Sequence, residues 1–182
     1  MEKILGVDEP LDPRLNVDGT TGYDALREFD GVFVNTDAAT ALGAVALRFS
    51  GTTWDAHAVE KAEWMLKARV AEDELAAEIR RLARAVRHDS LSSAGSQVSD
   101  TALTEVLVEL VAGMPVYRAD YRSLSRVTAT LIADLAQSPI GFDAAALDLV
   151  AAALAAHGEA AHRFAQVCGA VMAKGVEDTL FY

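Results

Sequence analysis

The stretch TWDAHAVEKAEWMLKARVAEDELAAEIRRLARAVRH, residues 53–88, decides the fold. Val59, Ala62, Leu66 and Val70 recur at steps of three and four, the spacing that places side chains on one face of an α-helix. Leu75, Ile79, Leu82 and Val86 repeat the pattern, but only after a step of five from Val70. Such a step rotates the apolar stripe about the axis, so the spacing predicts two helices, or one kinked helix, with the break near Ala71 and Glu72. Asp73, Glu74 and Glu78 come early in the second half and Arg80, Arg81, Arg84, Arg87 and His88 come late, the order that a helix dipole favours. This basic cluster reads first as a solvated helix end and only secondarily as an anion site.

Beyond it, SLSSAGSQVS at residues 90–99 is a Ser- and Gly-rich connection. Leu103, Leu107 and Leu110 then describe a helix that starts at Ser99 and stops at Gly113, with Pro115 just past the end. PVYRADY at 115–121 is extended or irregular. Two more helices carry Val127, Leu131 and Leu135, and Leu147, Val150 and Leu154, with a turn at QSPIG, residues 137–141. Toward the N-terminus the texture differs. Residues 1–35 hold two of the four prolines and four of the twelve glycines, punctuation that suggests loops and short elements. Helical periodicity resumes at Thr36, where Asp37 is the expected cap of the following segment.

Composition agrees with a mainly α chain. Ala fills 35 of the 182 positions and Pro 4, and Ala loses no side-chain entropy in a helix. Because the helices between residues 36 and 165 have complete apolar faces, they are expected to fold against one another as a bundle. A net charge of -11 repels nucleic acid and anionic membrane, so neither is an expected partner. The longest apolar run, residues 149–156, has eight residues. A membrane span needs about 20. MEKILGVDEP carries no basic region followed by an apolar one, and the single Cys168 cannot pair internally, which together point to a cytoplasmic location.

The residues offer little obvious chemistry. His57, His88, His157 and His162 have no metal-ligand spacing, Cys168 reads as a buried thiol, and phosphate-binding or dinucleotide-binding loops are lacking. Neither metal nor cofactor is expected. Two segments sit awkwardly in a plain bundle. DGTTGYD at 18–24 reads most simply as a turn into a helix capped by Thr21. VMAKGVEDTLFY at 171–182 mixes apolar, charged and aromatic residues densely, and Lys174 and Glu177 could pair across one turn.

Four blocks, EKILGVDEPL at 2–11, DGTTGYDAL at 18–26, MPVYR at 114–118 and MAKGVEDTLFY at 172–182, together resemble the maltooligosyl trehalose synthase family of α-amylase-like glycoside hydrolases. The resemblance covers the whole chain but only an internal part of such an enzyme. It implies isomerase-type chemistry, an intramolecular transglucosylation that converts the reducing-end α-1,4 linkage of a maltooligosaccharide into an α,α-1,1 linkage. It also implies a division of the chain: residues 1–35 as short elements derived from a (β/α)8 barrel, 36–168 as a helical insert domain, and 169–182 as a return segment toward the barrel active site. Barrel active sites lie at the C-terminal ends of the strands.

By the same resemblance Glu2 is the general acid/base. Lys174 and Glu177 contact sugar near the reducing-end glucose, and Tyr23 and Asp24 line the site. The expected partners are a maltooligosaccharide and the remainder of the parent enzyme. Two departures stand out: residues 167–170 read VCGA where the family has TTGP, and Leu180 stands where it has Ala. A retaining mechanism needs two carboxyl groups about 5–5.5 Å apart. The resemblance supplies only Glu2, so the chain by itself is expected to be inactive. The competing reading is an independent helical interaction module without catalysis.

Overall fold

The computed structural model describes residue 5 and residues 9–53, 55–90, 97–118 and 125–180. Eight α-helices occur among them, with no strand: α1 (Tyr23–Gly31), α2 (Ala39–Ser50), α3 (Ala56–Glu72), α4 (Ala76–Asp89), α5 (Asp100–Gly113), α6 (Ser125–Ala136), α7 (Ala144–Ala155) and α8 (Glu159–Met172). A short 3-10 turn (Thr36–Ala38) precedes α2, and a π-helical segment (Ala173–Leu180) continues α8. The chain divides into two compact units, Met1–Glu63 and Trp64–Tyr182. No single helix among the described residues is long and apolar enough to cross a membrane.

The larger unit holds the core. Every member of its apolar cluster lies at or beyond Val70, and Leu82, Val86, Leu103, Leu107, Leu110, Val150 and Val171 are fully enclosed. α4 packs against α8, α5 and α7; α5 also packs against α7 and α8, with α6 laid on α5 and α7. Each enclosed leucine contributes about 1.5–3 kcal/mol relative to an exposed one. The expected break after Val70 is present: α3 ends at Glu72 and α4 begins at Ala76, with the Leu75 N–H reaching back to the Val70 carbonyl at 2.9 Å. Ser99 caps α5 by accepting from the Ala102 N–H at 3.0 Å, and α5 stops at Gly113 as its sequence indicates. The turn before α7 uses Gly141 at φ 78°, a left-handed conformation that glycine adopts without strain.

α8 starts without a cap of its own. Gly158 precedes it, and Asp89 at the end of α4 accepts from the Ala160 N–H at 2.8 Å. A Cβ on Gly158 would stand 2.6 Å from that same carboxylate oxygen, so glycine is required for the approach. The Ala160 N–H, and then His88, hold the Asp89 carboxyl below its ordinary pKa.

In the smaller unit, neither α1 nor α2 buries a single residue. Phe33 is 88% exposed and Phe49 85%, and Phe29, Val32, Leu42 and Val45 are exposed as well. The expectation that the helix after Thr36 buries its apolar face is therefore overturned for α2. An apolar stripe is a property of the helix, whereas burial requires a neighbour to meet it. Two caps also differ from expectation. Asn35, not Asp37, opens the 3-10 turn by accepting from the Asp37 N–H at 3.1 Å. α2 itself has no side-chain cap.

Candidate functional site

The Gly19 to Asp24 turn is built around a hydroxyl. Gly22 takes φ 90°, which turns the chain sharply into α1 and brings its N–H to Thr20 Oγ1 at 3.1 Å. The same hydroxyl donates to Asp24 Oδ1 at 2.7 Å. This bond is the main cause that lowers the Asp24 pKa. The cap expected from Thr21 is absent, since α1 opens at Gly22 with no side-chain cap, and Thr20 instead closes the turn before it, two residues ahead of the Gly22 amide. Tyr23 is half exposed beside it.

Asp24 also lines a cavity of about 390 Å³ within the smaller unit, together with Leu5, Glu9, Pro10, Leu11, Ala25, Arg27 and Glu28. Glu9 is buried there, and Arg27 Nη1 donates to the Leu5 carbonyl at 3.4 Å. Three carboxylates and one guanidinium on an otherwise apolar wall offer acceptors and donors for a polyhydroxylated ligand. Glu2 falls outside the described residues. Asp12, nearby in sequence, is buried in a bidentate pair with Arg14, bonding its Nε at 2.8 Å and its Nη2.

The second group lies in the larger unit. Lys174 and Glu177 both sit on the π-helical segment. Lys174 Nζ pairs with Glu74 Oε2 at 3.2 Å, and the Thr179 hydroxyl closes the wide turn by donating to the Lys174 carbonyl at 2.7 Å. Glu74 belongs to the three-residue break between α3 and α4, so the step of five in the sequence supplies this partner. Val176, on the same segment, is buried. The five candidates thus fall into two groups, Tyr23 and Asp24 in one unit and Lys174 and Glu177 in the other, with Glu2 undescribed.

The basic cluster of α4 is largely spoken for. Arg81 pairs with Glu78 at 2.7 Å, Arg87 with Asp100 at 2.7 Å and with the Val98 carbonyl at 2.8 Å, and His88 meets Asp89 at 3.1 Å. Carboxylates on the same groups weaken the anion-site reading. Among the described residues no three His, Cys, Asp or Glu side chains gather as metal ligands. Sequence periodicity missed two polar residues that matter: Asp89, whose partner lies 71 residues away, and Lys67, which is buried on α3.

Comparison with known proteins gives the site its context. Two curated relatives named maltooligosyl trehalose synthase, from two strains of Mycobacterium tuberculosis, are each 38% identical over all 182 residues. The chain spans 22% of their length. Among solved structures, the maltooligosyltrehalose synthase of Arthrobacter ramosus matches with a TM-score of 0.77 and 32% identity, covering all of this chain and 22% of that one. A point variant of the same enzyme matches equally. No protein-family model matches the chain.

Proposed function

We propose, for a chain that belongs by sequence and by fold to a segment of the maltooligosyl trehalose synthases, a part in the intramolecular transglucosylation that forms a trehalose linkage at the reducing end of a maltooligosaccharide. The observation that carries this reading is the match along all 182 residues to relatives of that name. In the full-length enzyme Glu2 protonates the glycosidic oxygen as the reducing-end glucose leaves. It then takes the proton from the anomeric hydroxyl that attacks the intermediate. A carboxylate outside this chain is the nucleophile, as two-carboxylate retaining chemistry requires.

Lys174 and Glu177 hold the departing glucose while it turns. Keeping that glucose in place is what separates transfer from hydrolysis, because a released sugar leaves the intermediate to water. Tyr23 and Asp24 contribute a stacking face and a hydroxyl acceptor, and Thr20 fixes the Asp24 carboxylate in place. The partner beyond the sugar is the remainder of the enzyme, whose surface would cover the apolar side chains that α1 and α2 leave exposed. Monomeric soluble proteins rarely show contiguous apolar patches beyond a few hundred Å².

In the full-length enzyme, Glu2→Gln keeps the shape and removes the proton transfer, so kcat is expected to fall by about 10²–10⁴ with folding unchanged. A variant keeping more than about a tenth of the rate contradicts the role. The 182-residue chain alone is expected to form no trehalose-linked product from maltopentaose. Product above a blank that scales with protein concentration would contradict that.

A further inference from the structure

Lys67 is 2% exposed, yet it carries an ammonium group in the middle of the larger unit. Its Nζ donates to the Met114 carbonyl at 2.6 Å. That carbonyl closes α5 and precedes Pro115, in a residue that is itself fully buried. Helix C-termini leave carbonyls without intrahelical donors, and a buried carbonyl needs a partner. Lys67 supplies one from a neighbouring helix.

The main chain of the same residue does a second job. A Cβ on Gly175 would meet Lys67 Cα and Cγ at 3.1 Å and its N at 3.2 Å, so the π-helical segment rests directly on α3 at Lys67. A second close approach runs parallel to it: a Cβ on Gly169 of α8 would lie 3.2 Å from the Tyr117 carbonyl. Lys174, the residue before Gly175, is paired with Glu74 just beyond the end of α3. One short stretch of α3 therefore touches both the 114–118 turn and the 173–180 segment.

We propose that Lys67 is a positioning residue that clamps these two segments together, so that Lys174 is held at a fixed place for its contact with the reducing-end glucose. The inference rests on the sugar-contact role proposed for Lys174. A long stem reaches the carbonyl and leaves its own backbone against Gly175, which a shorter polar side chain could not do. An apolar replacement would fill the stem's volume and leave the Met114 carbonyl buried without this donor.

The test compares Lys67→Met, Lys67→Arg and Gly175→Ala. In the 182-residue chain, Lys67→Met is expected to speed amide exchange at least about tenfold at residues 116–118 and 175–180, while amides of Leu107 and Val150 change less than about twofold. Lys67→Arg keeps the charge and should restore part of the protection. Gly175→Ala should open the 175–180 stretch without removing the ammonium. In the full-length enzyme, Lys67→Met and Gly175→Ala should each raise the fraction of released glucose at least about threefold, with KM for maltopentaose changed less than kcat for transfer.

Unchanged local exchange, a uniform loss of protection across the core, or opened segments with an unaltered glucose fraction would each overturn the proposal. An unaltered enzyme that forms no trehalose linkage overturns the functional reading instead, and the exchange pattern still decides the clamp.

Discussion

Helices α2 and α7 have the same length, 12 residues, and nearly the same character. α2 reads ATALGAVALRFS and α7 reads AAALDLVAAALA. α7 buries Ala146, Leu147, Leu149, Val150, Ala153 and Leu154, while α2 buries nothing. Both form helix for the same local reasons, high Ala content and few β-branched residues. Their fates differ because α4, α5, α6 and α8 surround α7, whereas among the described residues no element within the smaller unit encloses α2. Helix formation and burial are thus separate questions, and only the first is answered locally.

The comparison breaks most visibly under truncation of apolar side chains. Leu107→Ala in α5 removes a fully enclosed side chain and is expected to cost about 2–5 kcal/mol in urea unfolding. Phe49→Ala in α2 removes a larger one and should stay within about 0.5 kcal/mol in the chain alone. If Phe49→Ala cost as much as Leu107→Ala, the difference between the two helices would disappear.

Gly158→Ala comes next. Its new methyl group would collide with the Asp89 carboxylate, and overpacking of this kind costs about 1–3 kcal/mol. A melting temperature equal to the parent's would show that the junction between α4 and α8 yields freely. Asp89 itself gives a smaller effect with a pH signature. Its carboxyl has a lowered pKa in the folded state, so the stability it contributes is present above the ordinary carboxylate pKa of 3.8 and is lost as pH falls through the folded value. Asp89→Asn keeps an acceptor for the Ala160 N–H, so the variant should melt below the parent at pH 7, with the gap narrowing as pH falls below the ordinary carboxylate value. A gap that widens on acidification would reverse the sign and contradict the cap.

The smallest expected change is Thr20→Val. It removes the hydroxyl from Asp24 and the Gly22 amide, yet the turn lies in the smaller unit, where α1 and α2 bury no residue, so global stability should move by less than about 1 kcal/mol. The Asp24 carboxyl, followed by NMR titration, should shift upward because its main stabilising bond is gone. An unchanged titration would remove Thr20 from its role.

Much of the larger unit is legible in the sequence. The break between α3 and α4 follows from the step of five, and α5 runs from its Ser99 cap to Gly113 as spacing and punctuation indicate. Long-range polar work is not legible. Lys67 lies between Leu66 and Val70 of the apolar stripe, and no local pattern says that a lysine there meets a carbonyl 47 residues away. The Asp89 cap likewise depends on how two helix ends meet. In the smaller unit the positions of Tyr23 and Asp24 at the start of a helix are legible. The use of Thr20 rather than Thr21 in the turn is not, because the left-handed conformation of Gly22 decides which threonine reaches its amide, and the helix itself starts without a side-chain cap.

The difference between the two regions reduces to one measurement, thermal unfolding of residues 52–182 followed by circular dichroism beside that of the whole chain. This fragment keeps α3 with Asp55, whose carboxylate accepts from the Ala58 N–H at 2.8 Å, and every member of the apolar core. If the core is self-sufficient, the fragment melts cooperatively within about 4 °C of the whole chain, a difference of roughly 1 kcal/mol or less. Loss of cooperativity, or a midpoint lowered by more than about 10 °C, would mean that residues 1–51 carry stability their exposed helices do not explain.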